Sequence, residues 1–317
     1  SRYSTCLFAT IEGSAVTEAL GVLAAMVSSL LGGTTVAGTR YLVAEMDALS
    51  IASLRHSVGA LCFLPVAIYT LRRCSDRRAV IAAALLGLLF YGVFPWLFAL
   101  SLVYTTAARG SLAMASFPIQ TLALAILLRV EPFSWPRLIG ILIAMAGLIY
   151  AILPSAMGSG RATPDAWIGD LIMILAVFLG SLYAVLSRRH VQRIGALPFT
   201  AIGVCAGAIF LLGLAIGLGR LRGLPQLPAA AWWVIIYLGV FGTAVLFFFW
   251  VMGIQHASPA LVALTVPANP LVAMILGAWM LGEPVGVEVI VGLVLVLIGI
   301  AVAMNVLARL RREQNRV

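Results

Sequence analysis

Lysine is absent from this sequence, and each of its 20 basic residues is arginine. A Walker-type phosphate loop needs its lysine, so direct use of ATP is not expected. Charge of either sign is scarce, at 10% of 317 residues, against about 25% in a soluble domain. Only three histidines occur, and the carboxylates sit near the ends of apolar runs. An intramembrane enzyme would need clustered His, Asp or Glu there, and no buried carboxylate is expected, so an enzyme is not the reading. The four cysteines, Cys6, Cys62, Cys74 and Cys205, show no CxxC spacing, which indicates neither a metal site nor a disulfide framework. No metal and no cofactor are expected. The first residues lack the charged, apolar, small-residue order of a signal peptide, so no cleavable leader is expected.

What is present is apolar: 63% of residues are hydrophobic and the mean hydropathy is +1.12, where soluble domains are about 45–50% apolar. The partner this composition asks for is a lipid bilayer. The net charge of +9 does not point to nucleic acid, because the arginines form short clusters between apolar runs and no continuous basic face.

A membrane span takes about 20 mostly apolar residues. Ten are read, at 17–38, 48–70, 79–102, 107–128, 136–153, 167–187, 198–218, 230–252, 258–281 and 286–307. The runs are continuously apolar, which predicts helices and not alternating barrel strands. The expected fold class is therefore all-α integral membrane. Segments after spans 2, 4, 6 and 10 hold 13 arginines, among them Arg72, Arg73, Arg188 and Arg189, against five in the other loops, Arg40, Arg109, Arg161, Arg220 and Arg222. Cytoplasmic loops are enriched in basic residues, so a multi-pass inner-membrane protein with both termini in the cytoplasm is expected.

The phrase EPFSWPRLIGILIAMAGLIYA at 131–151 returns as EPVGVEVIVGLVLVLIGIAVA at 283–303, an offset of 152 that aligns Glu131 with Glu283, Gly140 with Gly292 and Gly147 with Gly299. The match runs upstream through Leu112/Leu264, Pro118/Pro270 and Leu124/Leu276. A duplicated five-helix unit must enter the membrane upside down the second time, giving an inverted repeat suited to alternating access. The expected organisation is a cytoplasmic segment at 1–16, a first repeat at 17–153, an external linker at 154–166, a second repeat at 167–307 and a basic cytoplasmic tail at 308–317. With the halves fused, there is room for a working monomer.

The second half opens with GDLIMILAVFLGSLYAVLSRR (169–189), the first carries DALSIASLRHSVGALCFLP (47–65), and both hold the Glu-Pro phrase. Over roughly residues 18–307 this resembles the EamA domain of the drug/metabolite transporter superfamily. The resemblance implies a ten-helix bacterial inner-membrane carrier, usually an exporter of amino acids, metabolites or toxic compounds. The Trp common before the Gly of each half's first span is Leu31 in the first half and Gly180 in the second. Small multidrug-resistance relatives carry a Glu three residues before Gly-Thr-Thr, where this chain has Leu30.

Arg55 lies about eight residues into span 2, about 12 Å deep at about 1.5 Å per residue, and charges at such depth usually face a bundle interior or a water-filled cavity. It could hold a carboxylate by a two-pronged contact, or pin a helix through backbone carbonyls. The repeat sets Leu49 against Leu197 and Gly59 against Gly207, which places Gly203 opposite Arg55. His56 is a candidate for proton coupling, with a hydrogen-bonded structural role as the alternative. Pro118 and Pro270 occupy matching mid-span positions and would bend their helices, which makes them candidate hinges. Gln120 and Asn269 supply polar groups beside them. Aromatics gather in spans 3 and 8, and Tyr91, Trp96, Trp250, Tyr183 and Thr34 complete the candidate substrate site. Gly140, Gly147, Gly292 and Gly299 are expected to serve close helix packing. The expected function is export of small amphipathic metabolites, amino acids or their derivatives favoured, with broad multidrug or nucleotide-sugar transport as the alternative. A non-transporting receptor or scaffold would usually carry a soluble domain, and the short loops offer none.

Overall fold

In hydrocarbon a backbone polar group finds no water, so each apolar run must satisfy its own N–H and C=O groups within a helix. The computed structural model describes residues 2–43, 45–74, 76–104, 113–158, 166–221, 227–269, 271–272, 275 and 287–314, and among them every regular element is helical. The order is α1 (Arg2–Val43), α2 (Ala48–Arg73) and α3 (Arg77–Gly87), which passes into a π-helical turn (Leu88–Val93) and then α4 (Phe94–Tyr104). Next come α5 (Phe117–Leu127), α6 (Trp135–Gly158), α7 (Ala166–Ile194) and α8 (Ala196–Gly217). The chain continues as α9 (Ala229–Gly239), a second π turn (Val240–Val245), α10 (Leu246–His256), α11 (Pro259–Ala263) and α12 (Val287–Gln314).

The helix ends follow from local chemistry. Asp47 accepts from the Leu49 and Ser50 amides and so starts α2, as N-cap carboxylates do. Asp76 caps α3 through the Ala79 amide, and Ser258 caps α11 through the Leu261 amide, with Pro259 at the first helical position. Gly195, at φ +88°, joins α7 to α8 in a single residue; a side chain is rarely tolerated there.

Six helical stretches are long and apolar enough to cross a membrane: Thr17–Thr35, Ala48–Arg73, Arg77–Phe98, Trp167–Ile194, Ala196–Gly217 and Ala229–His256. Three shorter apolar helices, Phe117–Leu127, Trp135–Ala151 and Ile290–Met304, accompany them. Of the expected fourth and ninth spans, residues 107–112, 270, 273–274 and 276–281 lie outside the described residues. Large apolar side chains face outward, Leu127 at 76% and Ile209 at 74% exposure among them, and so many at once suit a lipid-facing surface.

Continuous third and eighth spans were expected, and the structure widens both into π turns. The two turns are offset by 152 residues, so the duplication carries them as a pair. The fourth span is also interrupted: Ala115–Ser116 form a turn, the Ser116 amide bonds to the Ala113 carbonyl, and α5 starts afresh beyond it.

Glycines show how the halves meet. A methyl group placed on Gly140 would stand 2.5 Å from the Gly299 carbonyl oxygen, and one on Gly292 would stand 2.7 Å from that of Gly147. Residue numbers therefore rise along α6 as they fall along α12, so the two equivalent helices run antiparallel. The same holds for α2 and α8: Cys205 Sγ lies 3.8 Å from the Ala60 carbonyl oxygen, while Leu49 and Ala52 cluster with Leu211 and Ala215. Contacts also recur with the halves exchanged. Gly59 meets Thr243 as Gly207 meets Tyr91, and Gly32 meets Asn269 as Gly180 meets Phe117. Gly87 meets Gly203 as Gly239 meets the Arg55 carbonyl.

Candidate substrate site

The exchange of halves brings unlike side chains to equivalent places, Tyr91 against Thr243 and Phe117 against Asn269. One wall is consequently polar and the other aromatic.

On the polar wall, Arg55 of α2 reaches the second π turn. Its Nη2 donates to the Gly242 carbonyl at 3.0 Å and its Nε to Thr243 Oγ1 at 3.3 Å. Thr243 in turn donates to the Leu238 carbonyl at 3.1 Å. Among the described residues Arg55 pairs with no carboxylate. His56, 1% exposed, has Nδ1 at 2.8 Å from the Ala52 carbonyl, so Nδ1 carries the proton and Nε2 presents a lone pair.

On the aromatic wall, the Tyr91 and Tyr183 hydroxyls lie 2.7 Å apart, both residues fully buried. Phe90 stacks on Tyr183 with ring centres at 4.3 Å and planes 11° apart. Phe247 meets Tyr91 edge-on at 4.7 Å and reaches to 6.1 Å from the His56 ring, so it stands between the two walls. Trp250 is buried against Phe117, ring centres 6.0 Å apart.

Eight buried polar atoms have no hydrogen-bond partner among the described residues; Ser134 Oγ, Arg137 Nε, Arg188 Nε and His190 Nδ1 lie at or beyond the ends of the expected spans, and four lie inside them: His56 Nε2, Gln120 Oε1, Trp250 Nε1 and Asn269 Oδ1. An unsatisfied polar group in hydrocarbon costs several kcal/mol, and all four belong to residues singled out from the sequence.

Other expected residues stand elsewhere. Trp96 packs against the cluster of Leu49, Ala52, Leu211 and Ala215. Thr34 donates to the Leu31 carbonyl and accepts from Tyr237 at 2.7 Å. Gln120 donates to Ser116 Oγ at 2.8 Å and opens onto a recess of about 610 Å³ lined by Leu124, Leu127, Ile174 and Phe178. Pro118 is buried in the first turn of α5, directly after the interruption of the fourth span. Pro270 lies outside the described residues, and a turn at 264–267 precedes it.

Sequence reasoning missed Thr243 and Gly242, although the offset of 152 already sets Thr243 opposite Tyr91, and it counted Phe247 among the aromatics of span 8 without choosing it. It also expected no buried carboxylate. Glu131 is 5% exposed: it pairs with Arg137 and accepts from the Ala260 amide of α11 at 3.3 Å. The turn between α5 and α6 buries it against the second half, so a loop of the first half holds the start of α11.

The EamA-like transporter family matches residues 19–153 and again 167–305. The chain belongs to that family. The two matches cover both sides of the exchanged contacts. Among EamA relatives, the uncharacterized transporter YyaM of Bacillus subtilis is 26% identical over 281 residues, covering 88% of this chain and 92% of that protein. A probable terminal-alkyne amino-acid exporter of Streptantibioticus cattleyicolor is 26% identical over 181 residues, covering 57% of this chain and 58% of that one. A solved crystal structure superposes with a TM-score of 0.75 at 20% identity, covering 91% of this chain and 97% of that one, a likeness of fold. The relatives are transporters, and the helices place this EamA protein in a membrane as a multi-pass chain.

Proposed function

We propose that this chain is a secondary transporter exporting small amphipathic metabolites, amino acids or derivatives favoured, by alternating access between two inverted five-helix repeats. In this reading ten spans cross the bacterial inner membrane with both termini in the cytoplasm, and the protein carries out no catalysis. The observation that carries it is Arg55, a cation with no carboxylate partner among the described residues, seated on Gly242 and Thr243 across from an aromatic wall. A zwitterion with an apolar side chain fits that pairing: its carboxylate can take the guanidinium's remaining donors, and its side chain can lie against the rings. The unpartnered His56 Nε2, Trp250 Nε1 and Asn269 Oδ1 supply further polar contacts, and the interruptions before Pro118 and Pro270 are the hinges. His56 is also the candidate for proton coupling. An amino-acid exporter among the relatives fits this choice.

The test is counterflow in proteoliposomes, preloading one unlabelled amino acid at a time and following uptake of its labelled form. Exchange of aromatic or aliphatic amino acids is expected. Folded protein that exchanges none of them, yet moves a lipophilic cation or a phosphorylated sugar, would overturn the amino-acid assignment.

A further inference from the structure

Among the described residues Arg55 is held by one edge only. Nε and Nη2 form the side edge of the guanidinium fork, and the protein occupies that edge with Thr243 Oγ1 and the Gly242 carbonyl. Thr243 spends its own proton on the Leu238 carbonyl, so only a lone pair of its oxygen can face Arg55. Its methyl is braced by the bare Cα of Gly59, where an added methyl would come within 2.6 Å. The hydroxyl is therefore fixed in direction. What remains free among the described residues, for a two-pronged contact with a carboxylate, is the Nη1/Nη2 end.

Phe247 follows Thr243 by four residues, which puts it on the same helix face one turn on. It is partly exposed and in ring contact with His56, Phe90 and Tyr91. A zwitterion gripped at the end of Arg55 would meet Phe247 with its side chain before reaching the tyrosine pair. At the equivalent place the first half has Pro95, and it has Tyr91 in place of Thr243, so one half alone combines a hydroxyl with a ring one turn away.

We propose that the second π turn and the residue one turn beyond it form the recognition element of the site: Thr243 and the Gly242 carbonyl position Arg55 as the carboxylate grip, and Phe247 sets which side chains are accepted. This rests on the amino-acid reading above. The experiment is counterflow of labelled leucine, tryptophan and leucinamide, which lacks the carboxylate, in proteoliposomes of wild type, Thr243→Val, Thr243→Ser, Phe247→Ala and Phe247→Leu, each eluting as a single species on size exclusion. Thr243→Val is expected to lower the ratio of leucine to leucinamide exchange about tenfold, the size of one charge-assisted hydrogen bond, and Thr243→Ser to restore it. Phe247→Ala is expected to raise the ratio of tryptophan to leucine exchange about tenfold, with Phe247→Leu in between. Wild-type exchange with both ratios unchanged in the variants would overturn this proposal alone. No exchange of any amino acid by folded wild type would instead remove the reading on which it rests.

Discussion

Tyr91 and Tyr183 share one hydrogen bond, hydroxyl to hydroxyl at 2.7 Å, in a place where neither side chain has any exposed surface. One residue comes from the first π turn and the other from α7, so the bond ties the two halves at the centre of the bundle.

Removing one hydroxyl strands the other. Tyr91→Phe or Tyr183→Phe alone is expected to cost about 1–3 kcal/mol, whereas replacing both with Phe leaves two apolar rings of matching shape and costs less than the two single changes summed. A double-mutant cycle on the unfolding midpoint in detergent measures this, and strict additivity would show that the two hydroxyls act independently.

Arg55→Gln keeps hydrogen-bonding capacity and removes the charge. Losing a charge-assisted contact of about 1.5–3 kcal/mol predicts at least about a tenfold drop in leucine exchange relative to leucinamide. Equal losses for both compounds would assign Arg55 a role in holding the helices alone.

Glu131→Gln leaves the buried Arg137 without its counter-charge. The expected cost is about 3–5 kcal/mol, and Glu131→Gln combined with Arg137→Met is expected to recover most of it. Unfolding midpoints of the single and paired variants decide the matter; a paired variant as unstable as the single one would show that the uncompensated charge of Arg137 is not the source of the loss.

Gly59→Ala forces a methyl to within 2.6 Å of Thr243, and overpacking of this kind costs about 1–3 kcal/mol. Gly213→Ala, with nothing within 4 Å of the added methyl, serves as its contrast and should be neutral or slightly stabilising. Thermal midpoints of the two variants measured side by side give the answer.

How much was legible in the sequence depended on whether the signal was a pattern or a direction. The repeat could be read, and so could a packing role for Gly140, Gly147, Gly292 and Gly299, which recur at a spacing that keeps each pair on one helix face; that α6 and α12 pack on each other through them came from the structure. Tyr91, Tyr183 and Trp96 were chosen as separate candidates; the structure brings the first two hydroxyls together and sets Trp96 in another cluster. Trp96 stands five positions after Tyr91, and at roughly 100° per residue they point to different sides even before the π turn widens the helix. Nor could the sequence show that the Thr34 hydroxyl accepts from Tyr237, 203 residues away. The π turns left no composition signal, since a widened turn is decided by what crosses it. Here Gly87 and Gly239, the last residues before each turn, lie directly against the opposite half. Glu131 was recognised as part of a repeat but not as buried, because the amide that receives it lies 129 residues away in α11.

The contacts at Gly32, Gly59, Gly87 and Gly140 are each made with the opposite half. Cut between α6 and α7, the chain would yield two fragments that each lack the other side of these packed surfaces, and co-expression would oblige them to associate as a heterodimer. In the single chain that interface is an intramolecular core, and its two sides are free to differ: one holds Arg55 where the other holds the bare Gly203.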